Sequence, residues 1–224
     1  MIPLRDENPI RIVPFVTWAV LAACVVAFLV QVSLGAPGFN RMIFGLGVIP
    51  AVLFGHAYLP PEIALVPPAA TVVTSMFLHG GWLHLAGNML YLWIFADNIE
   101  DRMGHLRFLV FYLACGVAAA FAQAMPAPQS VVPMVGASGA ISGVLGAYLL
   151  LFPRARVLVL VPFGFVLQVI RLPAVWVLGL WFLVQLLSSL AAPEGEGGVA
   201  FRAHLGGFVA GLLLAPLLLR GRAR

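Results

Sequence analysis

The fold turns on the stretch Gly136-Ala137-Ser138-Gly139-Ala140-Ile141-Ser142-Gly143-Val144-Leu145-Gly146-Ala147-Tyr148-Leu149-Leu150-Leu151-Phe152, closed by Pro153-Arg154-Ala155-Arg156. From Ser138 to Phe152 it is an apolar run of fifteen residues without a charge. As a helix it would rise about 22 Å at ~1.5 Å per residue, whereas a hydrocarbon core is about 30 Å thick. If Arg154 and Arg156 mark one membrane boundary, the Ser138 end lies several Å beneath the other. Irregular backbone at that depth needs protein or a water-filled cavity around it, so Ser138 is expected in a wet pocket inside the membrane.

Composition agrees with a lipid solvent. The 224 residues are 62% hydrophobic and 9% charged, where a soluble domain carries roughly 25% charged residues; mean hydropathy is +1.07. Reading for apolar runs of about 17–25 residues predicts six spans, near Val13–Leu34, Leu83–Ile99, Leu106–Gln123, Ser138–Phe152, Leu172–Leu190 and His204–Leu219. The first is too long for a signal-peptide core and reads as a retained anchor. The expected architecture is an all-α integral membrane bundle of six transmembrane helices. It forms a single domain over 1–224, with a cytoplasmic segment 1–12 and a basic cytoplasmic tail 220–224. Cys24 and Cys115 lie in apolar runs as small hydrophobes, without a disulfide framework or metal spacing.

All twelve basic residues are arginine. With the N-terminus in the cytoplasm, Arg5, Arg11, Arg102, Arg107, Arg154, Arg156, Arg171, Arg220, Arg222 and Arg224 fall on the cytoplasmic side. Only Arg41 and Arg202 fall opposite, and this asymmetry sets orientation. It also accounts for the net charge of +4, so no nucleic-acid partner is expected. The arginine-only basic set and the alanine-rich spans are compatible with a bacterial inner membrane. The first outer loop, Gly35 to about Gly81, is long and apolar (Phe44, Val48, Ile49, Val52, Leu53, Phe54) and is expected to lie partly in the outer leaflet. The loop Ala192–Arg202, with Glu194 and Glu196 among glycines, is expected to be flexible and suited to gating.

Strongly polar side chains inside spans are functional candidates by default. In this orientation the second, fourth and sixth spans all enter from outside, which puts His84, Asn88, Ser138 and His204 at similar depth in one leaflet. His84 and Asn88, four apart, share a helix face. Gly139 with Gly143, and Gly207 with Gly211, are small residues at the spacing that lets membrane helices approach closely. Proton transfer between Ser138 and His204 requires a heavy-atom distance of ~2.6–3.2 Å. Serine becomes a useful nucleophile when a base takes its proton. Acyl transfer further needs donors aimed at the oxyanion, which His84, Asn88 and the N–H groups of Ala137 and Ser138 are placed to supply. The eight carboxylates map to span ends or loops, so a Ser–His dyad is expected rather than a triad.

The segments His84-x-x-x-Asn88, Gly136-Ala137-Ser138-Gly139 and Ala203-His204-x-x-Gly207-x-x-x-Gly211 resemble, in this order and placement, the signature segments of rhomboid intramembrane serine proteases. The likeness extends from about Phe44 to Leu219. It implies a six-helix bundle that hydrolyses a peptide bond in or beside the membrane segment of a transmembrane substrate, without metal or other cofactor. By the same likeness Ser138 is the nucleophile, His204 its base, and His84 with Asn88 the oxyanion donors. Gly136, Gly139, Gly207 and Gly211 shape the surroundings. His79 resembles a family histidine that braces the first loop, and Asn98-x-Glu100-x-x-x-Gly104 resembles the turn after the second helix. Two places depart from the family pattern. An aromatic residue four after the serine, stacked on the catalytic histidine, is Ser142 here, and a Trp-Arg pair in the first loop is Ala70-Thr71. Support for His204 must then come from elsewhere.

Plainer readings stand beside this one. A serine in Gly-Ala-Ser-Gly is ordinarily helix packing; the shared depth of three motifs is what favours catalysis. A metal site from His79, His84 and His204 lacks a carboxylate ligand or a His-Glu-x-x-His pair, so no metal is expected. His56 and His105 are expected at a surface or interface, and Trp18, Trp82, Tyr91, Trp93, Trp176 and Trp181 in interfacial belts or on lipid faces. The expected partners are transmembrane protein substrates and membrane lipid. The alternative is a catalytically silent relative that binds or escorts membrane helices. Such proteins typically lack the serine or the histidine, and this chain has both. A channel or carrier would be favoured by inverted repeats, but the three polar motifs differ from one another.

Overall fold

A computed structural model of the chain describes residues 1–163, 166–191 and 200–219. Its helices are α1 (Phe15–Ser33), α2 (Gly35–Leu46), the single turns α3 (Pro50–Leu53) and α4 (Thr71–Thr74), α5 (Trp82–Met103), α6 (His105–Ala124), α7 (Ser138–Leu151), α8 (Ala174–Ala191) and α9 (Phe201–Leu218). Four of them, α1, α6, α8 and α9, are long and apolar enough to cross a membrane. The helix α5 has 22 residues but carries Asp97, Glu100, Asp101 and Arg102 near its end, and α7 has only 14.

The all-α expectation is corrected by a three-stranded antiparallel sheet in the order β1 (Ile2–Asp6), β2 (Arg156–Phe163), β3 (Val166–Pro173). The run from Val157 is rich in β-branched residues, which suit a pleated surface, and Pro162 would break a helix there. Val157 and Val159 alternate inward and are fully buried. The sheet also gives structure to the expected cytoplasmic segment 1–12 and delays the start of α8 to Ala174, past Pro173 rather than at Leu172. Asp6 ties the sheet to the bundle: its Oδ2 accepts from the Tyr148 hydroxyl (2.6 Å) and the Asn98 amide (3.0 Å). Burial pushes the Asp6 carboxyl above its ordinary pKa, against the pull of the Tyr148 hydrogen bond. Tyr148 lies ten residues beyond Ser138 on α7, about 15 Å away along the axis, so the sheet sits at the end of the bundle far from the serine.

The helix α5 runs past the expected end at Ile99 to Met103, which brings Glu100 and Asp101 inside it. Glu100 is fully buried and closes the start of α1. It accepts from the Val16 N–H (2.9 Å), the Thr17 N–H (2.8 Å) and the Thr17 hydroxyl (2.7 Å), and His105 Nδ1 lies 2.6 Å from it. Asp101 accepts from the N–H groups of Arg11 and Ile12. Free amides and the helix dipole favour carboxylates at such a terminus. Residues 35–81 are also more ordered than an open loop. They hold α2, α3 and α4, with the Thr74 hydroxyl on Leu46 O (2.7 Å), the Thr71 hydroxyl on Pro68 O (2.6 Å) and a β-bridge from Val48 to Met134.

The short helix α7 is the axis of the bundle, packed by α5, α6 and α9, and every residue from Gly139 to Tyr148 is buried. The paired glycines explain how α9 reaches it. A Cβ on Gly207 would fall on the carbonyl oxygen of Gly139, and one on Gly211 on that of Gly143. The two backbones are in direct contact, which sets the spacing of the side chains at the tops of both helices.

Candidate active site

Ser138 is the first residue of α7 and His204 lies in the first turn of α9. His204 Nε2 is 2.8 Å from Ser138 Oγ, and its Nδ1 is 2.7 Å from Oε1 of Gln185 on α8. An amide oxygen only accepts, so the Nδ1 carries the proton and Nε2 is left to accept from the serine hydroxyl. The imidazole is thereby held at both nitrogens.

The chain reaches Ser138 through Gly136, whose φ of +128° is one that glycine adopts without strain. A Cβ on Gly136 would lie 2.7 Å from His84 Nε2 and 3.7 Å from Ser138 Oγ. His84 Nδ1 accepts from the Gly80 N–H at 3.2 Å, so Nε2 carries the proton and presents a donor beside the serine. Asn88, nearly buried, donates an amide hydrogen to His84 O at 2.7 Å. Its second amide hydrogen remains for the cavity that both residues line. The first α7 ladder bond runs from the Ile141 N–H to Ala137 O, which leaves the N–H groups of Ser138 and Gly139 without intrahelical partners. His79 is fully buried, its ring edge-on to His84 with centroids 5.2 Å apart. Gln31 clamps the His79 backbone, accepting from its N–H (3.1 Å) and donating to its carbonyl (3.2 Å). The structure therefore brings together all four polar residues singled out from the sequence, with His79 behind His84.

These groups open on a cavity of about 650 Å³, lined by polar Ser138, His84, Asn88, His204 and Arg202 and by apolar Ile141, Leu145, Met134 and Trp181. That volume lies within the range of sites that enclose a small ligand or a short segment of chain. Ser142 is buried, its hydroxyl donating to Ser138 O at 2.6 Å. The aromatic support that this position lacks comes from Trp181 on α8, whose ring lies 5.9 Å from that of His204, tilted by 36°. Trp181 therefore faces the site, a correction of its expected lipid face, and Tyr91 lines the same cavity. Trp18, Trp82, Trp93 and Trp176 are exposed, as an outward face requires. Among the described residues no group of three or more His, Cys, Asp or Glu side chains is arranged to hold a metal.

Three glutamines near the site were not foreseen: Gln31, Gln185, and Gln123, whose Oε1 accepts from the Ala203 N–H at 3.2 Å, next to His204. Each lies in an apolar run, and the rule that singled out the histidines applied to them equally. The expected gating loop falls largely on residues 192–199 and the basic tail on 220–224, outside the described residues.

A family model described as Rhomboid domain matches residues 68–221. Rhomboid protein 1, mitochondrial, of Saccharomyces cerevisiae is 32% identical over 186 residues, covering 79% of this chain and 50% of that protein. Rhomboid-like protease 5 of Toxoplasma gondii is 36% identical over 154 residues, covering 66% of this chain and 16% of its own length. Rhomboid protease GluP of Bacillus subtilis is 44% identical over 78 residues, 35% of this chain and 15% of that one. The chain thus spans half the length of the yeast relative and a smaller share of the other two.

Proposed function

The chain belongs to the rhomboid family, and from that premise we propose that it is an intramembrane serine endopeptidase working by a dyad of Ser138 and His204. The observation that carries the proposal is the 2.8 Å contact of His204 Nε2 with Ser138 Oγ across two helices, at the wall of a cavity. In this mechanism Ser138 Oγ attacks the scissile carbonyl as its proton passes to His204 Nε2. The oxyanion is met by His84 Nε2–H and the free N–H groups at the start of α7, with the second Asn88 hydrogen adding to them. The leaving amine takes the proton from His204. Water, activated by the same imidazole, then releases the acyl group from Ser138.

The substrates are transmembrane proteins cut in or near their membrane segments, and an amide inside a helix must be unwound to reach Ser138. No metal or other cofactor takes part. Six helices, α1 and α5–α9, cross the membrane as one domain, with α7 short enough to leave Ser138 sunken. Both termini lie on the arginine-rich side, a reading supported for the N-terminal segment by the pairing of β1 with the hairpin between α7 and α8 and for the end of α9 by the hydrogen bond from Arg107 to Leu219 O. The relatives include bacterial, mitochondrial and chloroplastic proteins, and assignment to a bacterial inner membrane rests on composition alone.

The test is cleavage of a single-span reporter in detergent or liposomes by the wild type and by Ser138→Ala. Cleavage by the wild type alone is expected. Equal cleavage by both would remove Ser138 as the nucleophile, and cleavage by neither would favour the silent binder of membrane helices instead.

A further inference from the structure

The catalytic reading assigns work to one nitrogen of His204, yet the other makes an equally short contact that no step uses. Gln185 Oε1 lies 2.7 Å from Nδ1, from a helix that carries neither the nucleophile nor the base. An isolated imidazole exchanges freely between its two neutral tautomers, and only the one with the proton on Nδ1 accepts from Ser138. Which form persists is set by the hydrogen bond at the opposite nitrogen. Among the described residues no carboxylate pairs with His204: Glu100 and Asp101 are engaged at the start of α1, and Asp6 at the sheet.

The seating of α8 adds a second observation. Its buried residues, Ala174, Val177 and Leu178, all fall within its first five positions. Farther along, Leu183, Val184, Leu186 and Leu187 are exposed. Among the described residues that half meets the bundle through Trp181 against His204 and Phe208, Phe182 against Phe208, and Gln185 on His204. The part of α8 that holds the base buries fewer of its described residues than the part before it.

We propose that Gln185 is the positioning residue of the base: its side-chain oxygen keeps the His204 proton on Nδ1, and so makes the dyad competent only while α8 is seated on α9. The proposal rests on the reading of Ser138 and His204 as a dyad. A neutral amide orients the ring without the full charge a carboxylate would bring to the imidazolium, so the device sets geometry more than basicity. Substrate entry that displaces this half of α8 would release the ring, and reseating would restore it, coupling chemistry to closure.

The test compares Gln185→Leu, Gln185→Asn and Gln185→Glu with the wild type in detergent. It uses ¹⁵N shifts of the His204 ring, the rate of Ser138 labelling by a small fluorophosphonate, and reporter kinetics. The wild type should show a single Nδ1–H tautomer. Leu, and Asn by its shorter reach, should give mixed tautomers. Labelling and kcat should both fall about 10- to 100-fold, below the ~10⁴ of a serine-protease triad held in the wrong tautomer, with KM changed less than about threefold. Glu, which keeps an acceptor in reach, should retain the wild-type tautomer and most of the rate. Unchanged ring shifts and labelling in Leu and Asn, or a loss in Glu equal to theirs, would overturn the inference. The dyad fails separately, by labelling that does not depend on His204, and the ring shifts report on Gln185 whether or not any substrate is cut.

Discussion

At the residue scale the site depends on Gly136 as much as on the reacting groups. Its backbone conformation turns the chain into α7, and the place of its missing Cβ is filled by the His84 ring. Gly136→Ala is therefore expected to push His84 away from Ser138 while leaving the helices intact. Removing one oxyanion donor costs ~10²–10³ in kcat, and a loss of at least that lower size is expected in reporter turnover, together with a lowered unfolding temperature, because a φ of +128° strains an L side chain by about 1–3 kcal/mol. The four polar residues were legible in the sequence because depth in a membrane is a one-dimensional property, fixed by span order and the positions of arginine. Gln185, a polar residue inside a span, was open to the same reading, whereas Trp181 was not, because which face of a span looks inward depends on packing. Trp181 stands among apolar residues that all suit lipid equally well, and the structure alone turns it toward His204.

At the scale of elements, the fit of α7 against α9 fixes the distance between Ser138 and His204. Gly207→Ala would set a methyl group on the carbonyl of Gly139 and part the two helices. Overpacking of this kind costs about 1–3 kcal/mol, read as a lowered thermal midpoint in detergent, together with loss of turnover. Gly179→Ala on α8 is the control: a Cβ there meets nothing within 4 Å, and stability should hold or rise slightly. The small-residue spacing announced this contact. The β-sheet was hidden because the search was for runs of spanning length. The segment between the predicted spans that end at Phe152 and begin at Leu172 is too short to register in such a reading, although its alternating buried valines and Pro162 carry the strand signal.

At the scale of the whole molecule, the end remote from Ser138 locks the elements together through buried polar contacts. Glu100 joins α5 to α1 and Asp6 joins the sheet to α5 and α7. Glu100→Ala would leave the Val16 and Thr17 amides and the Thr17 hydroxyl without their acceptor. At roughly 1–3 kcal/mol for a buried group left unpaired, the variant should unfold at clearly lower temperature in detergent. The Ser138–His204 contact lies at the other end of the bundle, so molecules that remain folded should still label at Ser138. These long-range ties escape a one-dimensional reading because the partners are up to 142 positions apart.

Catalysis by this route requires that Ser138 and His204 meet in a cavity that water and small reagents enter. The most direct measurement is labelling of the purified protein with a fluorophosphonate, followed by mapping of the modified residue in the wild type and in His204→Ala. The expected result is modification of Ser138 in the wild type and its loss in the variant. Modification elsewhere, or modification of Ser138 at the same rate without the imidazole, would contradict it.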